Sequence, residues 1–420
     1  MRVLLVNTSD HLGGAAIAAR RLQGALRQTG VETALLCRDA AACHNSGGVE
    51  RLRPSLWRKV KFAIERGEIF AANGFTREGL FAVDTGRYGT DITRTELFKK
   101  ADVVHLHWVN QAMLSLSDIG KILRSGKRVV WTMHDMWPFT GVCHQAGSCG
   151  AWQHGCGCCP QLRRPGKNDL SARTFARKRE VYHRGKITFV GCSQWLAGLA
   201  ASSPLCEGHS VVSVPNPIDT EFYAPAESKA RARQRLGLPL DKRVLLFAAF
   251  KATDPNKGID YLSRAVALLG KDAPQLAAQT VVAVAGKESA EAVKNFPMPA
   301  YPLGYIEDPE TMRAAYHAAD ALVMPTLSDN LPNTIVEAMA CGIPCVGFDV
   351  GGLPQMIDAG VNGYLAAYKD SADLAKGIAL TLRSSSYASL CRNARAKAVQ
   401  SYSERVVAER YLRIYDGGKP

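Results

Sequence analysis

Apolar residues fall along this chain in short unbroken blocks, separated by stretches with helical spacing. Residues 2–7 are a run of β-formers that ends in a polar, glycine-containing loop at 8–14. Ile17, Leu22, Ala25 and Leu26 then keep helical spacing, and Gly30 is a natural helix stop before apolar residues 31–37. Strand, loop, helix and strand in that order predict a parallel crossover. Further strands are expected at 103–107, 128–133 and 187–192, with Ser193 placed to cap the next helix. Unbroken rather than alternating apolar runs suit a sheet covered on both faces.

The second half repeats the pattern. Strands are expected at 243–250, 280–285, 321–324 and 344–348, and helices at 258–269, 309–319 and 334–340, the last stopped by Gly342. Between the halves, the Pro-containing stretch 214–222 and the charged stretch 227–235 predict a hinge. The fold class expected is α/β: two tandem Rossmann-like, doubly wound domains facing across a cleft. The boundaries are 1–215, 216–400 and a final segment, 401–420, whose helix crosses back to the first domain.

Open α/β sheets bind ligands at the carboxyl ends of their strands, and the unusual residues fall there. Gly13-Gly14 follows the first strand, where glycines and a helix N-terminus can receive an anion or sugar closely; a plain tight turn is the alternative. Lys251 and Lys257 flank the loop after 243–250, suited to a diphosphate, though loop lysines are commonly just solvated. Asp329 and Glu337 lie across a loop-to-helix junction, where paired carboxylates can take the vicinal hydroxyls of a ribose and a sugar. The alternative is an N-cap acid followed by a first-turn Glu. His105 and His107 share one strand face, either as a metal pair or as polar residues at a strand end.

Composition changes the picture in three places. No apolar run approaches a membrane span, and residues 3–6 are too few for a signal-peptide core, so a cytoplasmic protein with reduced thiols is expected. Five of the 12 Cys fall in the loop 136–162, and the spacing of Cys143, Cys149, Cys156 and Cys159 allows a structural zinc. Disulfides and free, packed thiols are the rivals. The formal charge of +14 is confined to residues 1–200, with 29 Lys and Arg against 15 Asp and Glu; residues 201–420 carry 23 of each. Any anionic partner therefore belongs to the first half.

The stretch 328–342, an acid followed after seven residues by Glu-Ala-Met-Ala-x-Gly-x-Pro, resembles the signature of glycosyltransferase family 4, retaining enzymes of the GT-B fold. The rest follows in order: Gly13-Gly14, the strand ending in His134-Asp135, Val214-Pro215-Asn216-Pro217, Lys257-Gly258, the strand ending in Met324-Pro325, Gly351-Gly352, and Gly360-Val361-Asn362-Gly363. Two positions depart from the family pattern. Asp329 stands where Glu is usual, and Ala252 stands where an Arg is usual, with Lys251 beside it.

The resemblance implies a hexosyltransferase-type activity: a sugar moves from a UDP- or GDP-sugar to a lipid-linked oligosaccharide or other glycan in surface polysaccharide synthesis. The implied catalytic residues are His134, Lys257, Asp329 and Glu337. Lys257, with Lys251, would neutralise the departing diphosphate. Glu337 would bind the nucleotide ribose. Asp329, with Asn330, Leu331, Pro332, Asn333 and Thr334, would hold the donor sugar. His134 would bond a sugar near the anomeric centre, and Gly13-Gly14 would close over the donor. No D-x-D triplet occurs, so no catalytic cofactor is expected; the structural zinc is the one metal in view.

The basic segment 51–66 adds a partner. Leu56, Val60 and Ile64 sit at helical spacing with Trp57 and Phe62 among arginines and lysines, a pattern that suits an anionic membrane surface or a helix covering a core. A nucleotide-sugar epimerase of similar fold is the rival within the fold class. A basic nucleic-acid-binding protein is the rival outside it, and no aromatic-basic recognition motif supports that reading.

Overall fold

The computed structural model describes residues 1–39, 48–53, 55–77 and 79–420; of the basic segment, Pro54 lies outside the described residues. The chain separates into two compact units: Met1–Pro217 together with Val407–Pro420, and Ile218–Val406.

The first unit is built on seven parallel strands: β1 (Arg2–Ser9), β2 (Glu32–Asp39), β3 (Val49–Arg51), β4 (Val103–Leu106), β5 (Arg128–Met133), β6 (Ile187–Gly191) and β7 (Ser210–Ser213). Their spatial order is β3-β2-β1-β4-β5-β6-β7, so the winding reverses between β1 and β4. Both faces are buried, as the unbroken apolar runs require. Leu4, Val6, Val104, Leu106 and Trp131 pack on one side. Val3, Leu5, Val103, Val130 and Val190 pack on the other, against Val407, Ala408, Tyr411, Ile414 and Tyr415 of the last helix.

Helix α1 (Gly14–Gln28) turns Ala16, Ala19, Leu22 and Leu26 inward and ends ahead of Gly30, whose φ of 82° suits glycine. Ile17, expected on that inner face, is instead 41% exposed, because the small alanines let the helix lie close to the sheet. The capping expected at Ser193 is present, its hydroxyl accepting from Leu196 N–H at 3.1 Å.

The second unit carries six parallel strands: β8 (Arg243–Lys251), β9 (Thr280–Lys287), β10 (Ala300–Gly304), β11 (Ala321–Met324), β12 (Cys345–Phe348) and β13 (Gly363–Ala366). Their order is β10-β9-β8-β11-β12-β13, with the reversal between β8 and β11. Leu245, Phe247, Val282, Val284, Val323 and Val346 form its core with Leu262, Val266 and Leu269 of the helix Ile259–Asp272. Among the described residues no helix is long and apolar enough to cross a membrane.

Candidate functional site

In a doubly wound sheet the crevice for a ligand opens where the strand order reverses. In the second unit that point lies beyond the ends of β8 and β11, and the structure brings Lys257 and Asp329 together there. Lys257 closes a single 3-10 turn, Pro255–Lys257, which Asp254 caps by accepting Asn256 N–H at 2.9 Å. Gly258 follows at φ 75°, and a Cβ there would stand 1.9 Å from the Pro325 carbonyl oxygen. Only glycine lets the lysine turn lie so close to the end of β11. The Asn256 carbonyl accepts from the Thr326 hydroxyl (3.0 Å) and Leu327 N–H (2.8 Å), tying the two loops together.

Lys257 Nζ then donates to Asp329 Oδ2 at 2.7 Å, with both side chains largely covered. The Asp329 carbonyl accepts from Gly352 N–H at 3.2 Å. At Gly351, φ 60°, a Cβ would meet that same oxygen at 2.1 Å.

Glu337 lies elsewhere in the local network. The helix Asn333–Ala340 begins after Pro332 with no side-chain cap and no acid in its first turn. The alternative of an N-cap acid with a first-turn Glu therefore does not hold. Glu337 is buried, and its Oε2 accepts from the Tyr316 hydroxyl at 2.7 Å. The two acids are thus held by different partners, one by a lysine and one by a tyrosine. Lys251 pairs with Glu288 at 3.0 Å, and Thr253 also bonds that carboxylate. Ala252 is fully buried, so no side chain on it reaches an anion.

In the first unit, Gly13 caps α1 at φ 84° with no side-chain cap and no acid in the first turn, leaving the N–H groups and positive dipole end of the helix for an anion. Asn7 Oδ1 accepts from Trp108 N–H at 2.8 Å, joining the ends of β1 and β4 at the reversal point. Asp10 is buried beside His11 (2.7 Å) and Arg20 (3.8 Å).

His134 follows β5. Its Nε2 lies 3.0 Å from His107 Nδ1 and its Nδ1 3.6 Å from Cys192 Sγ. Burial pushes His134 down to about 4, so its ring is neutral at pH 7. His105 bonds Tyr415 and Thr132, each at 2.7 Å, and burial pushes it down to about 3. The pair His105 and His107 does share one strand face, with ring centroids 4.3 Å apart. His105 nevertheless lies in the unit's interior rather than at a strand end, because the tyrosines of the last helix receive it.

Sequence reasoning missed the His107–His134 contact and a half-buried ion pair next to it. Asp135 Oδ2 accepts from His144 Nδ1 (2.7 Å) and Trp108 Nε1 (2.8 Å). Burial raises the Asp135 carboxyl, yet the His144 charge and these bonds hold it below the usual range. Burial lowers His144, but the Asp135 charge and hydrogen bond raise it on balance. The apolar residues between these partners in sequence hid the pairing.

The cysteine loop brings its thiols together. Cys143, Cys149, Cys156 and Cys159 line one small pocket with Trp152 and Ser171. Among the described residues, however, no three His, Cys, Asp or Glu side chains come together closely enough to hold a metal ion. Burial pushes the Cys143 thiol up to about 11 and that of Cys156 up to about 12.

Residues 12–222 match the family model described as Glycosyltransferase Family 4, which covers half of the chain, and residues 241–384 match Glycosyl transferases group 1. The chain belongs to glycosyltransferase family 4. Among curated relatives, a D-inositol 3-phosphate glycosyltransferase of Saccharomonospora viridis is 36% identical over 211 residues, 47% of this chain and 48% of the relative. One from Streptomyces scabiei is 34% identical over 177 residues, 39% of each chain. The chain thus spans about half the length, or less, of the curated relatives it matches.

Among solved structures, Anabaena HepE in complex with UDP-glucose matches at a TM-score of 0.66 and 16% identity, covering 99% of this chain and 100% of that one. A sucrose-phosphate synthase from Thermosynechococcus elongatus matches at 0.67 and 17%, covering 99% and 98%. At such identity the likeness establishes the fold, and the two doubly wound units are those of the GT-B class.

Proposed function

We propose that this member of family 4 transfers a glycosyl group, with retention, from a UDP- or GDP-sugar to a hydroxyl of a glycan or lipid-linked oligosaccharide. The observation that carries this reading is the Lys257–Asp329 pair at the reversal point of the second sheet, at 2.7 Å. An incoming diphosphate takes Lys257 as its counter-ion, and Asp329, released from the lysine, accepts hydroxyls of the donor sugar. Glu337, with Tyr316 behind it, receives the ribose. Lys251 adds a second cation once Glu288 yields it.

The bond from the sugar C1 to the β-phosphate oxygen breaks as the acceptor oxygen bonds C1 on the same face. The acceptor proton passes to the departing diphosphate. Lys257 stabilises the charge developing there, a contribution absent from the ground state. His134, neutral and backed by His107, offers a hydrogen bond to a sugar hydroxyl rather than a proton, and Gly13-Gly14 approaches the diphosphate.

The complex of HepE with UDP-glucose supports a nucleotide-sugar donor by analogy of fold. A second reading of the acceptor comes from the relatives named D-inositol 3-phosphate glycosyltransferase. A phosphorylated polyol would suit the positive first half. Thermal-shift and transfer assays over a panel of UDP- and GDP-sugars test the reading, with the anomeric configuration of the product read by NMR. Inversion, or no nucleotide sugar bound or consumed, would end it. Release of an epimerised free sugar without acceptor would favour the epimerase instead.

A further inference from the structure

Helix α2 (Leu56–Ala72) buries an ion-pairing segment and shows an apolar stripe outward. Two of its charged residues face inward: Glu65 is fully buried and Arg66 nearly so. Glu65 accepts from the Thr85 hydroxyl and Arg87 N–H, and Arg66 donates to the Leu80 and Val83 carbonyls and to Asp84. Outward it shows Leu56 (77% exposed), Trp57 (73%), Val60 (36%) and Ile64 (44%), one stripe along the helix. Phe62, expected among the exposed aromatics, is instead half-buried between Arg38 and Arg66.

Beside the start of this stripe opens a pocket of about 790 Å³ that six cations line: Arg51, Arg53, Arg58, Lys61, Arg94 and Lys100. Its acids are Glu50, Asp91 and Glu96. Two of them already have cation partners: Asp91 pairs with Lys121 at 2.8 Å and with the pocket's Arg94 at 3.7 Å, and Glu96 with Lys99 at 2.7 Å. Arg58 Nη1 is buried and makes no hydrogen bond among the described residues. Burial, with Arg38 and Arg51 nearby, lowers the affinity of that guanidinium for its proton. A cluster of mutually repelling cations with an unsatisfied buried donor calls for an anion.

We infer that α2 is a docking helix for an anionic lipid surface, its apolar stripe entering the headgroup boundary while the adjoining basic pocket receives lipid phosphates. The two features are complementary to such a surface at once: Leu56, Val60 and Ile64 to acyl chains, Trp57 to the interface, the cations to phosphate. A second copy of this chain on the same face would bring two basic pockets together. A nucleic acid would leave the apolar stripe in water. This inference stands apart from the donor chemistry of the second unit.

Co-sedimentation of the full chain with vesicles tests it. Binding to vesicles of phosphatidylcholine with phosphatidylglycerol is expected to exceed binding to phosphatidylcholine alone by roughly tenfold and to fall with salt. Leu56→Ser with Trp57→Ser, and separately Arg51→Glu with Arg58→Glu, should each abolish most of that binding while circular dichroism stays unchanged. The conservative Trp57→Phe should retain binding but lose the fluorescence blue-shift on adding vesicles. Equal binding to neutral vesicles, no binding to either, or full binding by both double variants would overturn the inference. So would a concentration-dependent dimer in light scattering that the serine variant removes, since the stripe would then belong to a second copy.

Discussion

At the scale of single residues, the second unit holds Lys257 ready but not bare, because Asp329 shares its charge at 2.7 Å. Lys257→Met removes the cation proposed to meet the leaving diphosphate. Losing one such stabilising donor typically slows a reaction by about 10²–10³-fold. The expected outcome is a fall of that order in kcat of sugar transfer, with stability nearly kept, checked by steady-state kinetics beside thermal denaturation. Asp329→Asn leaves Lys257 without its carboxylate. Nucleotide diphosphate alone should then bind as tightly as before or more tightly while sugar transfer drops, a split that calorimetry against kinetics would reveal. Equal weakening of both would mean that Asp329 acts only through the loop fold. Gly258→Ala is the backbone counterpart. Its Cβ would stand 1.9 Å from Pro325 O at a φ of 75°, so a loss of about 1–3 kcal/mol is expected in denaturant unfolding.

At the scale of elements, the strands buried on both faces were legible and the edges were not. The apolar blocks 128–133 and 321–324 coincide with β5 and β11 to the residue. β3, β7, β10 and β13 escaped because each carries exposed or half-exposed positions on a short run, which leaves no continuous apolar signal. Lys257 and Asp329 stood out as charges in loops after strands. The partners of the histidines did not, since His107 and His134 lie 27 positions apart on separate strand ends. In α2 the period could be read but not its direction, which the partners Asp84 and Thr85 decide.

The buried histidines make a prediction for the element they share with the last helix. Burial holds His134 at about 4 and His105 at about 3, against an ordinary 6.5. Between those values the unfolded chain binds more protons than the folded one, so stability falls as pH falls below 6.5. Each histidine contributes up to about 1.4 kcal/mol per pH unit. The melting temperature of the first unit should drop steadily from pH 6.5 to 4, and His105→Gln should flatten that slope in calorimetry.

At the scale of the whole molecule, the two units differ in charge and in how the chain completes them. The excess of +14 lies in residues 1–200, the half that holds α2 and its basic pocket, while the neutral half carries the Lys257–Asp329 pair. The first unit is finished by Val407–Pro420. Val407, Tyr411, Ile414 and Tyr415 are buried against β1, β4, β5 and β6, and the Tyr415 and Tyr411 hydroxyls bond His105 and Thr132. Removing residues 407–420 would uncover the apolar face of a parallel sheet and strand the buried ring of His105. Each fully exposed large side chain costs about 1.5–3 kcal/mol, so the loss would rival the net stability of a domain. The second unit, Ile218–Val406, keeps its own core. Calorimetry of the truncated chain should therefore lose the transition of the first unit and keep that of the second. Limited proteolysis should cut within residues 1–217 and spare 218–406. A truncated chain that unfolds as the full one does would mean that the last helix is an accessory rather than part of the sheet's cover.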